Sequence, residues 1–265
     1  MKLDKSKWLA ILEVFLIFIL FEFIVWIWNI LPLAQILRDL FYWGYFMHII
    51  FVLIPAVIII LKKKSFKSYG VNINNWKFSI KWALIFTAIV IIPPFIAVIF
   101  GISEFNLAKY SFQYLPSTLL FQIVFTGFAE EFLFRGYYQS RLNEAFDKPY
   151  YIYNLKFGMG AIIASFLFGF AHVLNPFNPL KGSFEFNFLS GLITGQIGFL
   201  LGLIREKTDS ILAPSLIHGL YNGFIVFLID DFSTIFIMIG WIISWIIIIF
   251  IFSKVEIEEK SLVEK

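Results

Sequence analysis

One polar segment in an otherwise apolar stretch of this sequence carries residues suited to acid–base chemistry. It places Glu130 beside Glu131, with Arg135 four residues after the second glutamate. On a helix, Glu131 and Arg135 share a face and can form an ion pair, whereas Glu130 points about 100° away from Glu131. The spacing therefore predicts one carboxylate with a built-in counter-ion and one without. A carboxylate without a partner in a low-dielectric site suits a general base.

Two further apolar segments contribute imidazole and carboxamide groups. His218 precedes Asn222 by four residues, so we expect both side chains on one helix face. Both groups can donate hydrogen bonds to an oxyanion. His172 stands in a third segment. Together with Glu130, these side chains supply what peptide hydrolysis needs, which is an activated water and a stabilised oxyanion.

Structural interpretations of the same residues stay open at this point. Glu130, Glu131 and Arg135 could form a buried ion-pair network that joins helices. His218 and Asn222 could form a polar clamp between helices, which is common in membranes. Nucleophilic catalysis is less attractive, because the chain contains no cysteine and no serine in these segments lies beside a plausible base.

The composition identifies the medium in which these residues must work. The chain is 60% hydrophobic and only 15% charged, whereas an ordinary soluble domain is about 25% charged. Too few charged residues remain to cover a soluble surface. The composition excludes a disordered chain, a disulfide scaffold and a nucleic-acid-binding protein. We predict a single membrane domain over residues 1–265, with membrane lipid as a partner.

Eight apolar stretches are long enough to serve as membrane spans. A helix needs about 20 apolar residues to cross roughly 30 Å of hydrocarbon, and open strands would leave their backbone groups unpaired in lipid. The predicted fold class is therefore an all-α, polytopic bundle of eight transmembrane helices. The predicted spans are residues 8–31, 40–61, 82–103, 115–134, 157–174, 186–204, 211–229 and 232–252.

The positions of the basic residues predict the orientation of the bundle. The loops assigned to the external side contain only Arg38, Lys109 and Lys181, whereas most other Lys and Arg residues lie in the opposite segments. Because Lys and Arg concentrate on the cytoplasmic side, both termini are predicted to be cytoplasmic. The first span is too long for a signal peptide, so we expect a retained anchor.

Three other polar residues fall within predicted spans. Glu13 is near the cytoplasmic end of the first span, and we expect its carboxylate to reach the interface. Glu22 lies deeper in the same span and is expected to face an internal cavity. His48, in the second span, has no motif partner and is expected to be structural.

Helix rise offers a check on whether the candidate residues lie at one depth. At 1.5 Å per residue, Glu130 and His218 both lie about 19–20 Å from the external side of a 30 Å core. His172 reaches that depth only if the embedded part of its helix begins near Gly160. We therefore expect residues 150–157 to lie at the interface.

The three polar segments resemble the signature motifs of the CAAX prenyl endopeptidase family of intramembrane proteases, also called the CPBP or Abi family. The resemblance covers residues 115–225, and the eight-span count resembles the prenyl-processing branch. The matching segments read Glu130-Glu131-x-x-x-Arg135-Gly136, Phe168-x-x-x-His172 and His218-x-x-x-Asn222.

The resemblance implies an endopeptidase that cuts a protein or peptide substrate within the membrane. It implies that Glu130 activates the attacking water and that His172 helps to position it. His218 and Asn222 would stabilise the oxyanion, while Glu131 and Arg135 would support the site. In one branch of the family the substrates are prenylated at a C-terminal CAAX sequence, and other branches have other substrates.

The family resemblance also raises the question of a metal. Glu130, His172 and His218 would match the ligand set of a catalytic zinc site. However, the zinc helix signature His-Glu-x-x-His is absent, and the family is generally described as glutamate-dependent. We expect no cofactor, with a zinc-dependent version of the same protease as the alternative.

Two non-proteolytic functions compete with this interpretation. One is a non-catalytic membrane protein, such as a bacteriocin-immunity factor of the Abi type. The other is a transporter that uses Glu130 and the histidines as a proton relay. Transporters often show repeat symmetry and matching broken helices, and the sequence shows neither.

Overall fold

The computed structural model describes residues 4–41, 43–102, 114–225 and 231–257. The helices that precede the polar segment are α1 (Lys5–Ile30), α2 (Pro32–Phe41), α3 (Tyr45–Leu61) and α4 (Trp76–Ile99), with a 3₁₀ turn at Phe66–Tyr69. Next come α5 (Tyr114–Leu120), π-helical stretches at Phe121–Glu130 and Phe132–Gln139, and α6 (Ser140–Ala145). These four run on as one helix, Leu115–Ala145, which we call the central span.

The second half of the chain is also largely helical. Its helices are α7 (Met159–Leu174), α8 (Phe188–Thr208), α9 (Leu212–Ile225) and α10 (Asp231–Phe250), with 3₁₀ turns at Pro179–Lys181 and Phe252–Lys254. Two short antiparallel hairpins complete the described elements. They pair β1 (Tyr150–Ile152) with β2 (Leu155–Phe157), and β3 (Phe177–Asn178) with β4 (Ser183–Phe184).

Within the described residues, five helices are long and apolar enough to cross a membrane. They are α1, α4, the central span, α8 and the segment Ile235–Lys254. A sixth span results if α2 and α3, which meet at an angle of 108°, count as one broken span. The fold therefore agrees with an α-helical membrane bundle, while the count of eight spans stays a prediction.

The remaining predicted spans correspond to shorter helices. The helix α3 has 17 residues, α7 has 16, and the described part of α9 has 14. Each is shorter than the roughly 20 residues that cross a bilayer without thinning it. The second predicted span was wrong at its start, because residue 40 belongs to α2 and α3 begins at Tyr45.

Lipid contact explains the outward face of α1. Leu12, Leu16 and Ile19 lie on this face and are 53%, 56% and 58% exposed, respectively. A row of large apolar side chains this exposed would be a liability in water, whereas in a bilayer it contacts hydrocarbon.

The first hairpin determines where α7 begins. Tyr150 lies opposite Phe157 in the β1–β2 ladder, and α7 starts two residues later, at Met159. The helix itself therefore begins near Gly160, as the depth estimate for His172 required, and the interfacial position of residues 150–157 stays a prediction.

Close helix packing places α7 against α8. A Cβ atom added to Gly169 of α7 would lie 2.9 Å from the Cα atom of Gly195 of α8 and 2.5 Å from the carbonyl oxygen of Gly191. Only glycine permits backbones to approach this closely, as in other small-residue helix contacts. The central span packs against α3, α7 and α9 and so lies at the centre of the helices that carry the candidate residues.

Glu13 forms contacts with other segments that the sequence analysis did not predict. Its carboxylate accepts hydrogen bonds from the ammonium of Lys62 and the hydroxyl of Tyr137. It also accepts from Nε of Arg141 at 3.0 Å. Glu13 therefore joins α1 to the end of α3 and to the central span. Sequence spacing did not reveal this cluster because its members lie on three separate segments.

Candidate active site

The central span carries the two glutamates where two π-helical stretches meet. Glu130 ends the first stretch, and Phe132, directly after Glu131, begins the second. The sequence predicted an uninterrupted membrane helix here, and the structure differs from that prediction because both stretches are π-helical. π-Helical turns are rare and occur frequently at functional sites.

The predicted ion pair between Glu131 and Arg135 is present. Nη1 of Arg135 donates to Oε1 of Glu131 at 2.8 Å, and both side chains are fully buried. The guanidinium also lies 4.4 Å from the ring centroid of Phe168 on α7, within cation–π range. Arg135 therefore stabilises Glu131 and, at the same time, holds the central span against α7.

Glu131 also orients the imidazole of His218. Nδ1 of His218 lies 2.8 Å from Oε1 of Glu131. Because a carboxylate can only accept, Nδ1 carries the hydrogen and donates it. Nε2 is therefore available to contact other groups, and it lies 3.8 Å from Oε2 of Glu130. A carboxylate that holds one ring nitrogen in this way sets the tautomer and direction of the other.

His172 is oriented by its own helix. Its Nδ1 lies 2.8 Å from the carbonyl oxygen of Phe168, one turn earlier on α7. The carbonyl can only accept, so Nδ1 donates and Nε2 is left unprotonated in the neutral ring. The same Phe168 ring contacts the rings of both His172 and His218, with centroids 4.7 Å and 5.7 Å away. Phe168 therefore packs against both imidazoles and restricts the movement of their rings.

His48 is the residue that sequence reasoning missed. Its Nε2 lies 3.3 Å from Oε1 of Glu130, and its ring packs edge-on against Phe121 of the central span. The prediction that His48 has no partner among the candidate residues was wrong. The prediction that the Glu130 carboxylate has no counter-ion was also wrong, because His48 and His218 both face it. A polar residue in a predicted span was the only available signal, because the contact joins two helices far apart in sequence.

Four candidate residues line one small cavity. Glu130, His172, His218 and Asn222 surround a volume of about 90 Å³, which we call the α9-side cavity. Thr194, Tyr221 and Trp241 complete much of its wall. About 10–15 Å³ of such volume is enough for one water, so the cavity has room for a water and part of a substrate group.

A second cavity meets the first at Glu130, Phe168 and His172. It has a volume of about 170 Å³ and extends towards α1, and we call it the α1-side cavity. Glu22 lies in its wall, so the prediction that Glu22 faces an internal cavity is confirmed. Glu130 and His172 thus stand between two spaces, one lined by His218 and Asn222 and the other lined by Glu22.

A contact between glycines brings the central span close enough to α9 for these distances. A Cβ atom on Gly127 would lie 2.6 Å from the carbonyl oxygen of Ser215 and 2.8 Å from the Cα atom of Gly219. Real Cβ atoms do not tolerate such distances. Gly127 precedes Glu130 by three residues and Gly219 follows His218, so the absence of side chains here sets the spacing of the site.

The question of a metal is not decided by the arrangement of the candidate residues. Among the described residues, no three His, Asp or Glu side chains are arranged to hold a metal ion. A zinc ion bound by Glu130, His172 and His218 would need their donor atoms at about 2.0–2.2 Å from one point. The zinc alternative and the expectation of no cofactor both stay predictions.

Comparison with known families adds an independent observation. The family model described as type II CAAX prenyl endopeptidase, Rce1-like, matches residues 111–224. That segment belongs to the CAAX prenyl endopeptidase family. The resemblance predicted from the three motifs is thereby confirmed, and all the candidate residues from Glu130 to Asn222 fall within the match. No curated protein and no solved structure matches the chain.

The match to the Rce1-like family model supports a peptide hydrolase at the level of the family. Together with the apolar helices, this match supports an integral membrane protein in a lipid environment with a peptide substrate. The roles of Glu130, His172, His218 and Asn222, the substrate and the orientation of the termini stay predictions.

Proposed function

We propose that the protein is a glutamate-dependent intramembrane endopeptidase that hydrolyses a membrane-anchored protein or peptide near its C-terminus. The observation that carries this proposal is the convergence of Glu130, His172, His218 and Asn222, from three separate helices, on the α9-side cavity. A structural clamp would need these polar groups to bond with one another. Instead, Nε2 of His172 and the amide of Asn222 line a space that can hold a reactant.

In the proposed reaction, Glu130 acts as the general base. A water in the α9-side cavity gives one proton to the Glu130 carboxylate, and its oxygen attacks the scissile carbonyl carbon. Nε2 of His172 accepts a hydrogen bond from the second O–H group of this water and holds its oxygen in place, because Nδ1 donates to the carbonyl of Phe168. Such a base contributes about 10²–10⁴-fold to the rate.

His218 and Asn222 would stabilise the oxyanion. Since Nδ1 of His218 donates to Glu131, Nε2 can donate only when the ring is an imidazolium. The carboxylates of Glu130 and Glu131 lie beside this ring, and the proposed reaction uses its imidazolium form. The amide of Asn222 supplies the second donor. As the tetrahedral intermediate collapses, the C–N bond breaks and the proton on Glu130 passes to the leaving amine.

His48 would act as a positioning residue for Glu130. Its Nε2 faces a carboxylate oxygen at 3.3 Å, so the ring is expected to carry a hydrogen on that atom. This contact holds one carboxylate oxygen and leaves the other, Oε2, towards His218 and the α9-side cavity. A base whose rotamer is held in this way needs no reorganisation when the water binds.

The finer features of this function belong to the same proposal. We assign eight transmembrane helices with both termini in the cytoplasm, a substrate of the prenylated CAAX type, and a reaction that uses no metal. Basic residues concentrated on one side of the predicted spans support the orientation. A short helix such as α7 can span locally thinned lipid.

The proposal is tested by incubating the purified protein in lipid nanodiscs with a farnesylated CAAX peptide and detecting the released tripeptide. We expect the native protein to release it and Glu130→Gln to be at least about 100-fold slower. Glu185→Gln, which makes the same charge change on an exposed residue, is the matched control and should retain full activity. Cleavage by Glu130→Gln at the native rate would contradict the role of Glu130 as the base. Failure of the native protein to cleave the peptide would contradict the proposal and favour a non-catalytic immunity factor.

A further inference from the structure

The α1-side cavity contains a carboxylate with no assigned role. Glu22 is partly buried, lies in the wall of this cavity, and has no hydrogen-bond or ion-pair partner among the described residues. A carboxylate within a membrane span is costly unless something compensates for its lost hydration. Since Glu13 on the same helix has three partners, the lack of any partner at Glu22 needs a separate explanation.

A second polar group in the same wall is also without a partner. Tyr138 is fully buried, and its hydroxyl forms no hydrogen bond within the described part of the chain. Native structures rarely leave such a group unsatisfied. Two unpartnered polar groups that line one cavity indicate a ligand whose own polar group completes them.

Of the three asparagines in the cavity wall, Asn175 is exposed and the other two each form a hydrogen bond. Nδ2 of Asn178 donates to the carbonyl oxygen of Trp26 at 3.3 Å, and Oδ1 of Asn29 accepts from Arg38 at 3.3 Å. No Lys or Arg is present among the described residues of the cavity wall. The titratable groups there are Glu22, Glu130, His172 and Tyr138, so a positive charge beside Glu22 has to come from the ligand.

We infer that the α1-side cavity is a substrate subsite for a positively charged side chain, with Glu22 as its counter-ion and the Tyr138 hydroxyl as an additional acceptor. The ligand class is a primary ammonium or guanidinium, as on a Lys or Arg residue next to the scissile bond. The inference rests on the proposed function, because the cavity continues to the proposed base, Glu130. Its volume of about 170 Å³ is many times what a single water requires.

The same arrangement disfavours an acidic group at this position. A substrate carboxylate would approach Glu22 and Glu130 without a lining Lys or Arg to offset the repulsion. The subsite therefore selects between substrates by charge.

The test uses farnesylated CAAX peptides that carry Lys, norleucine or Glu at each of the three positions after the prenylated cysteine. Norleucine keeps the length of the Lys side chain without its charge. At the best position, we expect kcat/KM to be at least about tenfold higher for Lys than for norleucine, and lowest for Glu. Glu22→Gln should reduce the Lys-to-norleucine ratio to about one, and Tyr138→Phe should reduce it partially.

Glu185→Gln again serves as the control and should keep the native ratio. A native ratio near one at all three positions, or a native ratio that persists in Glu22→Gln, would overturn the inference. Size-exclusion profiles identify misfolded variants. If Glu22→Gln does not fold, the milder Tyr138→Phe variant decides, since it retains the buried ring.

A binding measurement separates failure of the subsite from failure of the proposed function. The same labelled peptides are titrated into native protein in nanodiscs, and their dissociation constants are compared. A Glu22-dependent preference for Lys without any cleavage would support the subsite and contradict the protease. Cleavage without a preference for Lys in either assay would support the protease and contradict the subsite.

Discussion

Nε2 of His48 lies 3.3 Å from Oε1 of Glu130, although the two residues are 82 positions apart in the sequence. The contact crosses from α3 to the central span and reaches the carboxylate that we propose as the base. Oε2 of the same carboxylate lies 3.8 Å from Nε2 of His218. Glu130 is therefore held between two imidazoles on different helices.

The first prediction concerns His48. Replacing it with Leu removes the donor that holds Oε1 of Glu130, so we expect kcat to fall by about 10–100-fold with KM nearly unchanged. His48→Gln, which retains a donor, should recover much of the loss. Steady-state kinetics on the farnesylated peptide provide both parameters. Met47→Leu, a buried apolar change on the same helix, is the control, and a His48→Leu enzyme with native kcat would refute the positioning role.

The second prediction concerns Glu131. Glu131→Gln weakens the hydrogen bond that orients His218 and removes a negative charge beside its ring, so we expect kcat to fall by about 10²–10⁴-fold. If the two residues act as one unit, Glu131→Gln combined with His218→Gln should be little slower than the slower single variant. Losses that multiply in the double variant would show that Glu131 and His218 act independently.

The third prediction concerns Arg135. We expect its replacement to lower the stability of the fold, whereas replacement of its partner Glu131 mainly lowers activity. Arg135→Met leaves the buried Glu131 carboxylate without its cation, a change that costs about 3–5 kcal/mol in comparable buried pairs. We expect a clear drop in the thermal unfolding temperature, which differential scanning fluorimetry can measure. Glu185→Gln should unfold at the native temperature, and an Arg135→Met protein as stable as the native one would contradict the structural role.

The contact between Gly127 and α9 gives a steric prediction. A Val side chain at position 127 would overlap the backbone of Ser215 and Gly219. The central span and α9 then have to move apart, or the protein has to accept a strained contact that lowers its free energy of unfolding by about 1–3 kcal/mol. Either response moves Glu130 away from His218, and we expect cleavage to be lost. Gly44→Ala is the control, because a Cβ atom there has no neighbour within 4 Å. Native activity in Gly127→Val would show that this contact does not set the site.

The proposal that no metal takes part makes a further prediction. Prolonged treatment with 1,10-phenanthroline followed by its removal should leave the cleavage rate unchanged, since Glu130 and the histidines can act through water alone. Elemental analysis of the active protein should find less than one equivalent of zinc. Loss of activity that added zinc restores would support the zinc-dependent alternative.

Local spacing was sufficient to predict several parts of this site from the sequence. The pairing of Glu131 with Arg135 follows from helix geometry, since residues four apart lie on one face whatever the rest of the fold does. The placement of Glu22 beside a cavity follows from the cost of a carboxylate in lipid. The segments around His172 and His218 were identified by the same cost, and the family match at residues 111–224 agrees with them.

Contacts between helices were beyond the reach of sequence spacing. The bonds from His48 to Glu130 and from His218 to Glu131 depend on how each helix is rotated and how closely its neighbour packs. Those quantities depend on the summed packing of many side chains, and here on glycines such as Gly127 that let two backbones touch. The lengths of α3 and α7 and the bend before α3 also depend on this packing. An apolar run in the sequence identifies a hydrophobic segment, but it does not specify where the helix within that segment begins, bends or ends.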